Sequence, residues 1–370
     1  MLGSVEWGEY RLGDLFGKAT RGKRLKSADR VPGNLPFVTA GEANTGISAF
    51  IGNKVDVFAA NTITIDMFGS AKYRNYQYGA DDHVAVVHTE HLPKHAVCFI
   101  ASAIHKVANA GEFHYGRNFY AKDAEGLVIS LPNRNGEPDY EFMERFIAEL
   151  NAARLAELNA YLTITGLKDY TLTPEEEHAL QCFKANHIEW SEYKMRELFR
   201  RRGTEKLCYK AKELPKEPKG EYTLPCLTSS FLNQGINYYA PRKNATILKD
   251  VISIPSNSDV YRSYYQSRDF TVLSDAYAIE WVYGNVKISH KQYLFLVGCI
   301  NQVIDLPIYS YKNKLGGWNV VKEKEISLPI LKDQIDYALM ETFISAIQKL
   351  VIKDVVLYAN REIEAMKQVI

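Results

Sequence analysis

Two segments of the sequence carry clustered positive charge. Residues 18–26 hold five basic residues and no acid, and residues 200–206 hold four basic residues and one acid. Lysine and arginine bind phosphate oxygens and release counterions, so such clusters are typical of contact with a nucleic-acid backbone. One cluster alone is usually a solvated surface, but two at corresponding places favour a binding role. The residues predicted to contact phosphate are Arg21, Lys23, Arg24, Lys26, Arg200, Arg201, Arg202 and Lys206.

Tyrosines alternate with polar residues in a second pair of segments, 72–78 and 261–268, and in a weaker third pair, 113–119 and 309–314. Arginine bonds guanine bidentately, and asparagine or glutamine bonds adenine. Core packing explains one or two of the tyrosines but not the neighbouring arginines, so groove contact and edge-strand structure both stay open. The residues predicted to contact bases are Lys72, Tyr73, Arg74, Tyr76, Gln77, Arg117, Asn118, Tyr261, Arg262, Tyr265, Gln266, Lys312 and Lys314.

The elements that position these residues occur twice along the chain. The offset between matched segments grows from 183 to 189 to 197 residues, so the second copy has about 14 more residues (197 minus 183), which loops accommodate easily. Strand-like runs rich in β-branched residues and one short apolar helical run recur, so each copy is predicted to be a small α/β domain. The matched segments are Glu6–Phe16 with Glu189–Phe199, Leu35–Ile47 with Leu224–Ile236, Tyr73-Arg74 with Tyr261-Arg262, and Ile129–Pro132 with Ile326–Pro329.

A long helix is predicted to close each copy. Asp-Tyr, Met-Glu and Phe-Ile recur at identical spacing from Asp139 and from Asp336, and apolar residues follow every three or four positions. Pro138 suits the first turn of the first helix. The apolar stripe from Phe343 to Tyr358 is broader than one partner helix requires, so we expect helix–helix packing and a docking face for another protein. The predicted docking residues are Phe142, Phe146, Leu150, Phe343, Ile347, Leu350 and Val351.

Composition limits the class of protein. With 46% hydrophobic and 24% charged residues and a net charge of +1, the 370-residue chain is typical of a globular protein whose charge must be segregated if it binds nucleic acid. The five cysteines form no Cys-x-x-Cys pair, which argues against a disulfide framework and indicates a reducing, cytoplasmic setting. No apolar run is long enough for a membrane span, and the first ten residues do not resemble a secretory signal.

Signatures of catalysis are mostly missing. The sequence contains no glycine-rich nucleotide-binding loop. The tetrapeptide Asn34-Leu35-Pro36-Phe37 differs from the Asn-Pro-Pro-Tyr/Phe motif of amino-methyltransferases at its second position and is interpreted as a turn into a strand. The histidines 88, 91 and 95 are close in sequence, but Leu92-Pro93 interrupts any helix there and the second copy lacks all three. We therefore predict no catalytic residue and no metal site.

The duplicated pattern resembles the DNA-specificity (S) subunits of type I restriction-modification systems and the similar subunits of type IIB systems. The motifs that carry the resemblance are Glu-Trp-x-x-Tyr-x-Leu-x-Asp-Leu-Phe from Glu6, Leu-Pro-Phe-Val-Thr-Ala from Leu35, Asn-Thr-Gly-Ile from Asn44, and Leu-x-x-Tyr-Leu-Thr-Ile-Thr-Gly-Leu from Leu158 to Leu167. It implies an α/β (α+β-like) protein with two homologous target-recognition domains in a pseudo-two-fold arrangement, separated by two long antiparallel helices.

The resemblance also implies a function. Each domain would read one half of a bipartite, asymmetric site in double-stranded DNA, and the helices would dock modification (methyltransferase) subunits and, in the full enzyme, restriction subunits. No cofactor is expected in this chain, because S-adenosylmethionine, Mg and possibly ATP belong to the partner subunits. The expected divisions are 1–137 for the first recognition domain, 138–165 for the first spacer helix, 166–188 for an acidic linker with a short helix, 189–331 for the second domain and 332–370 for the second spacer helix.

Two further readings stay open. The chain could be a stand-alone DNA methyltransferase or nuclease with an unrecognised site, which cofactor binding by the isolated chain would reveal. It could also be an interaction module that binds no DNA, which salt-dependent duplex binding would exclude. The bases read, the spacer length and the type of system do not follow from the sequence.

Overall fold

A computed structural model describes residues 2–367 of the chain. These residues form two compact units, one of residues 2–160 with 362–367 and the other of residues 161–361. Met1 and residues 368–370, the outer ends of the predicted first domain and second spacer helix, lie outside the described residues. Each unit contains one copy of the sequence repeat.

The first copy is built from short strands and four helices. Its strands are Trp7–Arg11 (β1), Thr20–Arg21 (β2), Pro32–Val38 (β3), Ile47–Ile51 (β4), Val57–Phe58 (β5), Thr62–Asp66 (β6), Ala71–Arg74 (β7), Tyr78–Ala80 (β8), Val84–Val87 (β9), Val128–Arg134 (β10) and Glu137–Pro138 (β11). Its helices are Leu12–Phe16 (α1), Lys94–Ala108 (α2), Ala121–Gly126 (α3) and Tyr140–Ile164 (α4).

The second copy repeats this order after a linker helix. Its helices are Pro174–Lys184 (α5, in the linker), Met195–Leu198 (α6), His290–Ile304 (α7), Trp318–Val321 (α8) and Tyr337–Lys367 (α9). Its strands are Trp190–Lys194 (β12), Phe199–Arg201 (β13), Tyr222–Leu227 (β14), Ile236–Pro241 (β15), Val251–Pro255 (β16), Tyr264–Gln266 (β17), Thr271–Val272 (β18), Ala276–Trp281 (β19), Glu325–Leu331 (β20) and Gln334–Ile335 (β21).

The sheets of the two copies have matching strand orders. The first copy contains β1-β10-β11, β2-β9-β6-β7 and β4-β3-β8-β5, and the second contains β12-β20-β21, β13-β19-β16-β17 and β15-β14-β18. One four-stranded sheet in each copy, β2-β9-β6-β7 or β13-β19-β16-β17, is antiparallel throughout and has the basic strand, β2 or β13, at its edge. The duplication inferred from sequence is therefore a duplication of fold.

A helix packs on the four-stranded sheet to form the core of each copy. Ile63 of β6 and Ile100 of α2 are fully buried in the first core, and Ile252 of β16 and Ile300 of α7 are fully buried in the second. These positions are β-branched in the strands and recur on one face of the helices, as a sheet–helix core requires. The first turn of each long helix enters the same core, because the Met143 and Met340 side chains are buried in the two clusters.

The first long helix, α4, begins at Tyr140, two residues after Pro138. Pro138 lies in strand β11, so its predicted place in the first helical turn is wrong. The Asp139 carboxylate instead accepts a hydrogen bond from the backbone N–H of Phe142 at 2.9 Å. Asp336 does the same for Leu339 at 2.9 Å. Aspartate satisfies a donor that the helix leaves free, which proline cannot do.

A glutamate one turn into each long helix holds the helix that packs on the sheet. The Glu144 Oε2 atom accepts hydrogen bonds from the backbone N–H groups of His95 at 2.8 Å and Ala96 at 2.9 Å, at the start of α2. At the equivalent place in the second copy, the Ser289 hydroxyl donates to the Glu341 carboxylate. A carboxylate is favourable at a helix N-terminus, where free N–H groups and the helix dipole meet.

The linker helix α5 begins as the sequence predicts. The Glu176 N–H donates to Thr173 Oγ1 at 3.2 Å, and the Thr173 N–H donates to Glu176 Oε2 at 2.8 Å, which is a capping box. Glu176 is nevertheless buried, and the Lys349 Nζ atom of α9 lies 2.9 Å from its carboxylate. The acids of this linker therefore do not all face solvent, as a purely repulsive acidic surface would require.

Within residues 2–367, no helix combines the length and the apolarity needed to cross a bilayer.

Candidate nucleic-acid interface

The first basic segment begins on the edge strand β2 and continues into a loop. Arg21 pairs with Ala85 of β9 in the sheet, and its side chain is exposed, as are those of Lys23, Arg24 and Lys26. Lys23 forms an exposed ion pair with Asp56 at 3.0 Å, which contributes little in water. The other three form no ion pair within the described part of the chain. Their charge is free to meet an anion.

The second basic segment begins on the equivalent edge strand, but its charge is partly neutralised. Arg200 of β13 and Arg202, which directly follows that strand, both contact the Glu280 carboxylate of β19, each at 2.6 Å. Burial raises the pKa of Glu280, but the hydrogen bonds from Arg202 and Arg200 outweigh it and hold that pKa below its usual value. Arg201 points to the opposite face, where its guanidinium lies 5.5 Å from the centre of the Tyr277 ring. Lys206 is exposed.

Arg74 does not reach a base, and its prediction as a base contact is wrong. The side chain is only 2% exposed. Its Nε donates to Thr64 Oγ1 at 2.9 Å, its Nη1 to the Tyr76 hydroxyl at 3.0 Å and its Nη2 to the Thr45 carbonyl oxygen at 2.8 Å. Every nitrogen of the guanidinium is therefore used inside the domain. Tyr76 is held by the same network, which argues against its predicted base contact as well.

The neighbours of Arg74 divide into internal and exposed residues. Lys72 donates to Ser70 Oγ at 2.7 Å and to Glu42 at 3.2 Å, and Tyr73 donates to Asn61 Oδ1 at 3.1 Å. These partners lie in the same domain, so Lys72 and Tyr73 support the sheet rather than present a reading edge. Gln77 is exposed, and its base contact stays a prediction.

The second copy shows the same separation. Tyr261 is fully buried and Gln266 is 5% exposed, so their predicted base contacts are wrong. The Tyr265 hydroxyl donates to Asp250 Oδ1 at 2.9 Å, and its ring stacks on Tyr293 at a centroid distance of 5.0 Å, which also places it within the fold. Arg262 remains half exposed, with its Nε 2.6 Å from Asp305. Its base contact stays a prediction.

The third, weaker pair of segments is largely exposed. The Arg117 guanidinium lies 5.4 Å from the Phe113 ring centre, and the Lys314 Nζ atom lies 4.9 Å from the Tyr311 ring centre. Lys312 is exposed. Asn118 is half-buried, in the same segment as Arg117. The base contacts predicted for Arg117, Asn118, Lys312 and Lys314 stay predictions.

Strand pairing corrects the alignment of the two copies in this region. Tyr73 pairs with Ile63 in the first copy, and Tyr265 pairs with Ile252 in the second. Tyr73 therefore corresponds to Tyr265, an offset of 192 residues (265 minus 73), and the sequence match of Tyr73-Arg74 with Tyr261-Arg262 is wrong. The structural counterpart of Arg74 is Gln266. Because Tyr-Arg occurs in both copies, the sequence match aligned Tyr73 with Tyr261, four residues before its structural counterpart Tyr265.

A pair of turns was matched in sequence but not recognised as a feature of the site. Asn44 and Thr45 have φ angles of 47° and 52°, and Asn233 and Gln234 have φ angles of 46° and 54°. Two consecutive non-glycine residues in the left-handed region are uncommon, and such backbone is concentrated at functional sites. The signal in the sequence is the repeated Asn-x-Gly-Ile, whose asparagine tolerates positive φ. These four side chains are exposed.

Three of the predicted docking residues pack inside the protein. Phe343 lies between Phe183 and Phe295, with ring centroids 4.7 Å and 5.9 Å away. Phe142 is buried and stacks on Phe146, which contacts Phe99 of α2. Phe142 is therefore not available for docking, whereas Phe146 and Phe343 are half-buried and their docking stays a prediction.

The remaining docking residues are more open. Leu150 and Leu350 are exposed, and Val351 is 73% exposed, whereas Ile347 is half-buried. Docking by these four residues stays a prediction.

The predicted absence of a metal site stays a prediction. Asp81, Asp82 and His83 bring three ligand atoms within 4.8 Å of one another, but acidic groups of this kind are common without an ion. Of the histidines weighed in the sequence, His88 contacts Glu90 and His95 contacts Glu144, each at 2.9 Å.

Two copies of one α/β fold, each with exposed cations on the same edge strand, define a duplicated binding protein with two related but different faces. The chain belongs to the family of type I restriction modification DNA specificity domains, whose model matches residues 4–160 and 187–357. The two matched ranges contain one copy each. The predicted fold class of two homologous target-recognition domains is confirmed, and so is the family.

Known relatives agree with this family. The chain is 30% identical over 155 residues to the specificity subunit S.BcgI of a type II restriction enzyme from Heyndrickxia coagulans, a match that takes in 40% of this chain and 45% of that relative. The aligned part is thus less than half the length of the relative.

A solved structure shows the same fold. The S subunit of a type I restriction-modification system from M. genitalium is similar with a TM-score of 0.61 over 99% of this chain and 94% of that one, at 15% identity. The HsdS subunit from Thermoanaerobacter tengcongensis is similar over 96% and 91% of the two chains at 11% identity, with a TM-score of 0.31 that is too low to inform geometry.

Proposed function

We propose that this chain is the sequence-specific DNA-recognition subunit of a restriction-modification complex. It reads a bipartite site in double-stranded DNA and positions adenine methyltransferase and endonuclease subunits on it. The observation that carries this proposal is the placement of exposed cations on strand β2 and strand β13, the same edge strand of the same sheet in both copies. Phosphate contact fixes register on a duplex, and two equivalent basic edges suit two half-sites.

The half-sites differ in sequence, so the site is asymmetric. The two edges share a strand but not a charge pattern, since Arg200 and Arg202 share the Glu280 carboxylate whereas Arg21, Arg24 and Lys26 have no such partner among residues 2–367. Different surfaces on one frame favour different bases.

Partner subunits supply the chemistry in this proposal. Among the predicted docking residues, Leu150, Leu350 and Val351 are exposed and Ile347 is half-buried, so these are the residues best placed to contact a partner subunit. S-adenosylmethionine, Mg and ATP belong to the methyltransferase and restriction subunits. The antiparallel pairing of α4 and α9 implied by the resemblance stays a prediction. The proposal covers type I and type IIB systems, which differ in the partner subunits.

Duplex binding at several salt concentrations tests the function. The full chain with its methyltransferase subunit is titrated with random-sequence duplex between 50 and 200 mM salt, for which we expect affinity to fall about a thousandfold or more if six or more phosphates are contacted. S-adenosylmethionine is titrated into the isolated chain in parallel. Salt-independent binding would contradict the proposal, and cofactor binding by the isolated chain would favour a stand-alone methyltransferase.

A further inference from the structure

The two left-handed turns are built alike from the backbone outward. Each follows a central strand of a sheet, and its closing glycine returns a hydrogen bond to that strand. The Thr39 N–H donates to the Gly46 carbonyl oxygen at 2.9 Å, and the Thr228 N–H donates to the Gly235 carbonyl oxygen at 3.0 Å. Gly46 and Gly235 have φ angles of 83° and 89°. A conformation that disfavours side chains is thus kept through three successive residues in both copies.

A buried polar side chain fixes each turn from beneath. The Arg74 Nη2 atom donates to the Thr45 carbonyl oxygen at 2.8 Å, and the Gln266 Nε2 atom donates to the Gln234 carbonyl oxygen at 3.0 Å. Both side chains are also anchored on a strand of the neighbouring sheet, since Arg74 Nε lies 2.9 Å from Thr64 Oγ1 of β6 and Gln266 Nε2 lies 3.0 Å from the Ser253 hydroxyl oxygen of β16. Two different residues perform one task. The turns are therefore rigid supports, not loose loops.

The exposed residues of the turns separate into constant and variable positions. Asn44 and Asn233 are shared, and each amide nitrogen reaches back to the backbone, to the Ile47 and Ile236 carbonyl oxygens at 3.4 and 3.5 Å. The position after each asparagine differs, with threonine at 45 and glutamine at 234. Across residues 2–367, no side-chain hydrogen bond from Gln234 accompanies the bond to its carbonyl. The asparagine shapes the turn, and the Gln234 side chain is left to contact something else, whereas the Thr45 hydroxyl accepts a long hydrogen bond from Arg74 Nη1 at 3.5 Å.

The second turn also exposes apolar area. Leu232 is 66% exposed and Phe231 is 46% exposed, whereas the corresponding residues of the first turn are Ala43 and Glu42. Exposure of a leucine side chain to water does not stabilise the free protein, but an exposed leucine can contact a thymine methyl group. The two turns thus share a backbone conformation but differ in their exposed side chains, as recognition of two different half-sites requires.

Hydrogen bonds join the first turn, which follows β3, to the basic segment, which begins on β2 of another sheet. The Leu25 N–H, inside that segment, donates to Asp81 Oδ1 at 3.2 Å, and the Asp81 N–H donates to the Val38 carbonyl oxygen at 2.9 Å. Thr39, the next residue, carries the bond to the turn. Three linked hydrogen bonds therefore join the cations to the turn.

A hydrogen bond joins the second turn to the segment that carries a half-exposed cation. The Tyr264 hydroxyl donates to the Phe231 carbonyl oxygen at 2.7 Å, and Arg262 lies two residues before Tyr264. The first turn is likewise joined to a basic loop by hydrogen bonds.

We propose that the turns at residues 42–46 and 231–235 are base-reading elements that enter the major groove. The variable side chains Thr45 and Gln234 contact base edges, Leu232 contacts a thymine methyl group, and Arg74 and Gln266 are positioning residues. The Gln234 amide matches adenine, which presents one acceptor and one donor in that groove. This inference rests on the function proposed above and names the residues that determine specificity.

Binding selection tests the second turn. The full chain with its methyltransferase subunit selects from a pool of random 40-base-pair duplexes, and the bound fraction is sequenced. We expect Gln234→Ala to lower the preference at one base pair of one half-site by about tenfold and to leave the other half-site unchanged. Thr45→Ala should affect the other half-site. Gln334→Ala and Leu331→Ala, which remove exposed residues of the same types from the β20–β21 hairpin, serve as controls and should leave the motif unchanged.

A change of preference separates reading from folding. Glutamate accepts from cytosine, so Gln234→Glu should move the preference at the same base pair from adenine to cytosine, which a loss of structure cannot do. An unchanged motif in Gln234→Ala, Gln234→Glu and Leu232→Ala would overturn the inference while the proposed function stands. A wild-type complex that selects no motif and binds duplex without salt dependence would overturn the proposed function itself.

Discussion

Gln266 occupies in the second copy the position that Arg74 occupies in the first. Each pairs with the first residue of its central strand, Arg74 with Thr62 and Gln266 with Val251, and each donates to the carbonyl oxygen of a left-handed turn. An arginine with three used nitrogens and a glutamine with one are not similar in sequence. They are equivalent because each donates a partly buried hydrogen bond to the carbonyl oxygen at the same place in its turn.

This relationship predicts that Arg74→Ala and Gln266→Ala destabilise the fold. Each removes a buried donor and leaves a carbonyl oxygen and a hydroxyl without their partner, at a cost of about 2–4 kcal/mol in the free energy of unfolding. Urea denaturation followed by circular dichroism measures it. The exposed neighbour Gln77→Ala should change stability by less than about 0.5 kcal/mol. Wild-type stability in Arg74→Ala would show that the turn does not depend on this side chain.

Exposed cations with and without an acidic partner should differ in their effect on DNA binding. Arg24→Ala should lower the slope of log K against log salt by about 0.9, the contribution of one phosphate contact. Arg200→Ala should lower it less, because Arg200 shares the Glu280 carboxylate with Arg202. Fluorescence anisotropy with a labelled duplex at several salt concentrations gives both slopes. Equal slopes for wild type and Arg24→Ala would remove Arg24 from the phosphate contacts.

The ion pair between Glu176 and Lys349 should make stability depend on pH. Burial raises the pKa of Glu176, but hydrogen bonds with Ser345, Thr173 and Lys349 outweigh it and hold that pKa below its usual value of 4.5. The hydrogen bond to Glu176 is the main cause that raises the pKa of Lys349 above 10.5. A lowered carboxylate pKa stabilises the fold above about pH 4.5, and that stabilisation is lost as pH falls through the folded value.

Glu176→Gln should therefore lower the free energy of unfolding by about 1–3 kcal/mol at pH 7. The difference from wild type should shrink as the pH falls below 4.5, because the carboxyl group becomes protonated first in the unfolded state and then, at lower pH, in the folded state. Urea titrations at pH 7, 5, 4 and 3.5 measure it, and Glu177→Gln, an exposed neighbour in the same helix turn, is the control. A pH-independent difference would contradict a stabilising role of the carboxylate charge.

Two apolar residues of α9 should separate docking from packing. Val351→Glu places a charge on an exposed position, so it should weaken assembly with the methyltransferase subunit and leave the thermal midpoint unchanged. Phe343→Ala removes a ring held between Phe183 and Phe295, so it should cost about 3–5 kcal/mol of stability. Size-exclusion chromatography and thermal denaturation measure the two effects. Normal assembly by Val351→Glu would exclude this face as the docking site.

Local patterns identified the elements of the fold. Apolar spacing located α2 and α7, observed at Lys94–Ala108 and His290–Ile304, and Thr173-Pro174 located the start of α5. These elements depend on neighbours within a few residues, which the sequence displays directly. The repeat offset located the insertions of the second copy, because a loop can lengthen without disturbing the core.

The candidate site was predicted less well, because residue type does not report exposure. Arg74 and Tyr261 have the chemistry of base readers, but one is bonded to its own domain and the other is fully buried. The exposure of a side chain depends on residues far away in sequence, such as Thr45, whose carbonyl oxygen accepts a hydrogen bond from the Arg74 guanidinium. The left-handed turns were visible only as a repeated Asn-x-Gly-Ile, since φ angles are not written in the sequence.

The sequence by itself determined that the chain is a duplicated α/β protein with segregated positive charge, because periodicity, repeated motifs and basic clusters are properties of the order of residues. Only the tertiary structure decided which of those residues face outward and which positions of the two copies correspond. Strand pairing sets that correspondence. The sequence match makes Arg262 the counterpart of Arg74, but the strand register makes it Gln266, four residues later, which is the side chain that bonds to the turn.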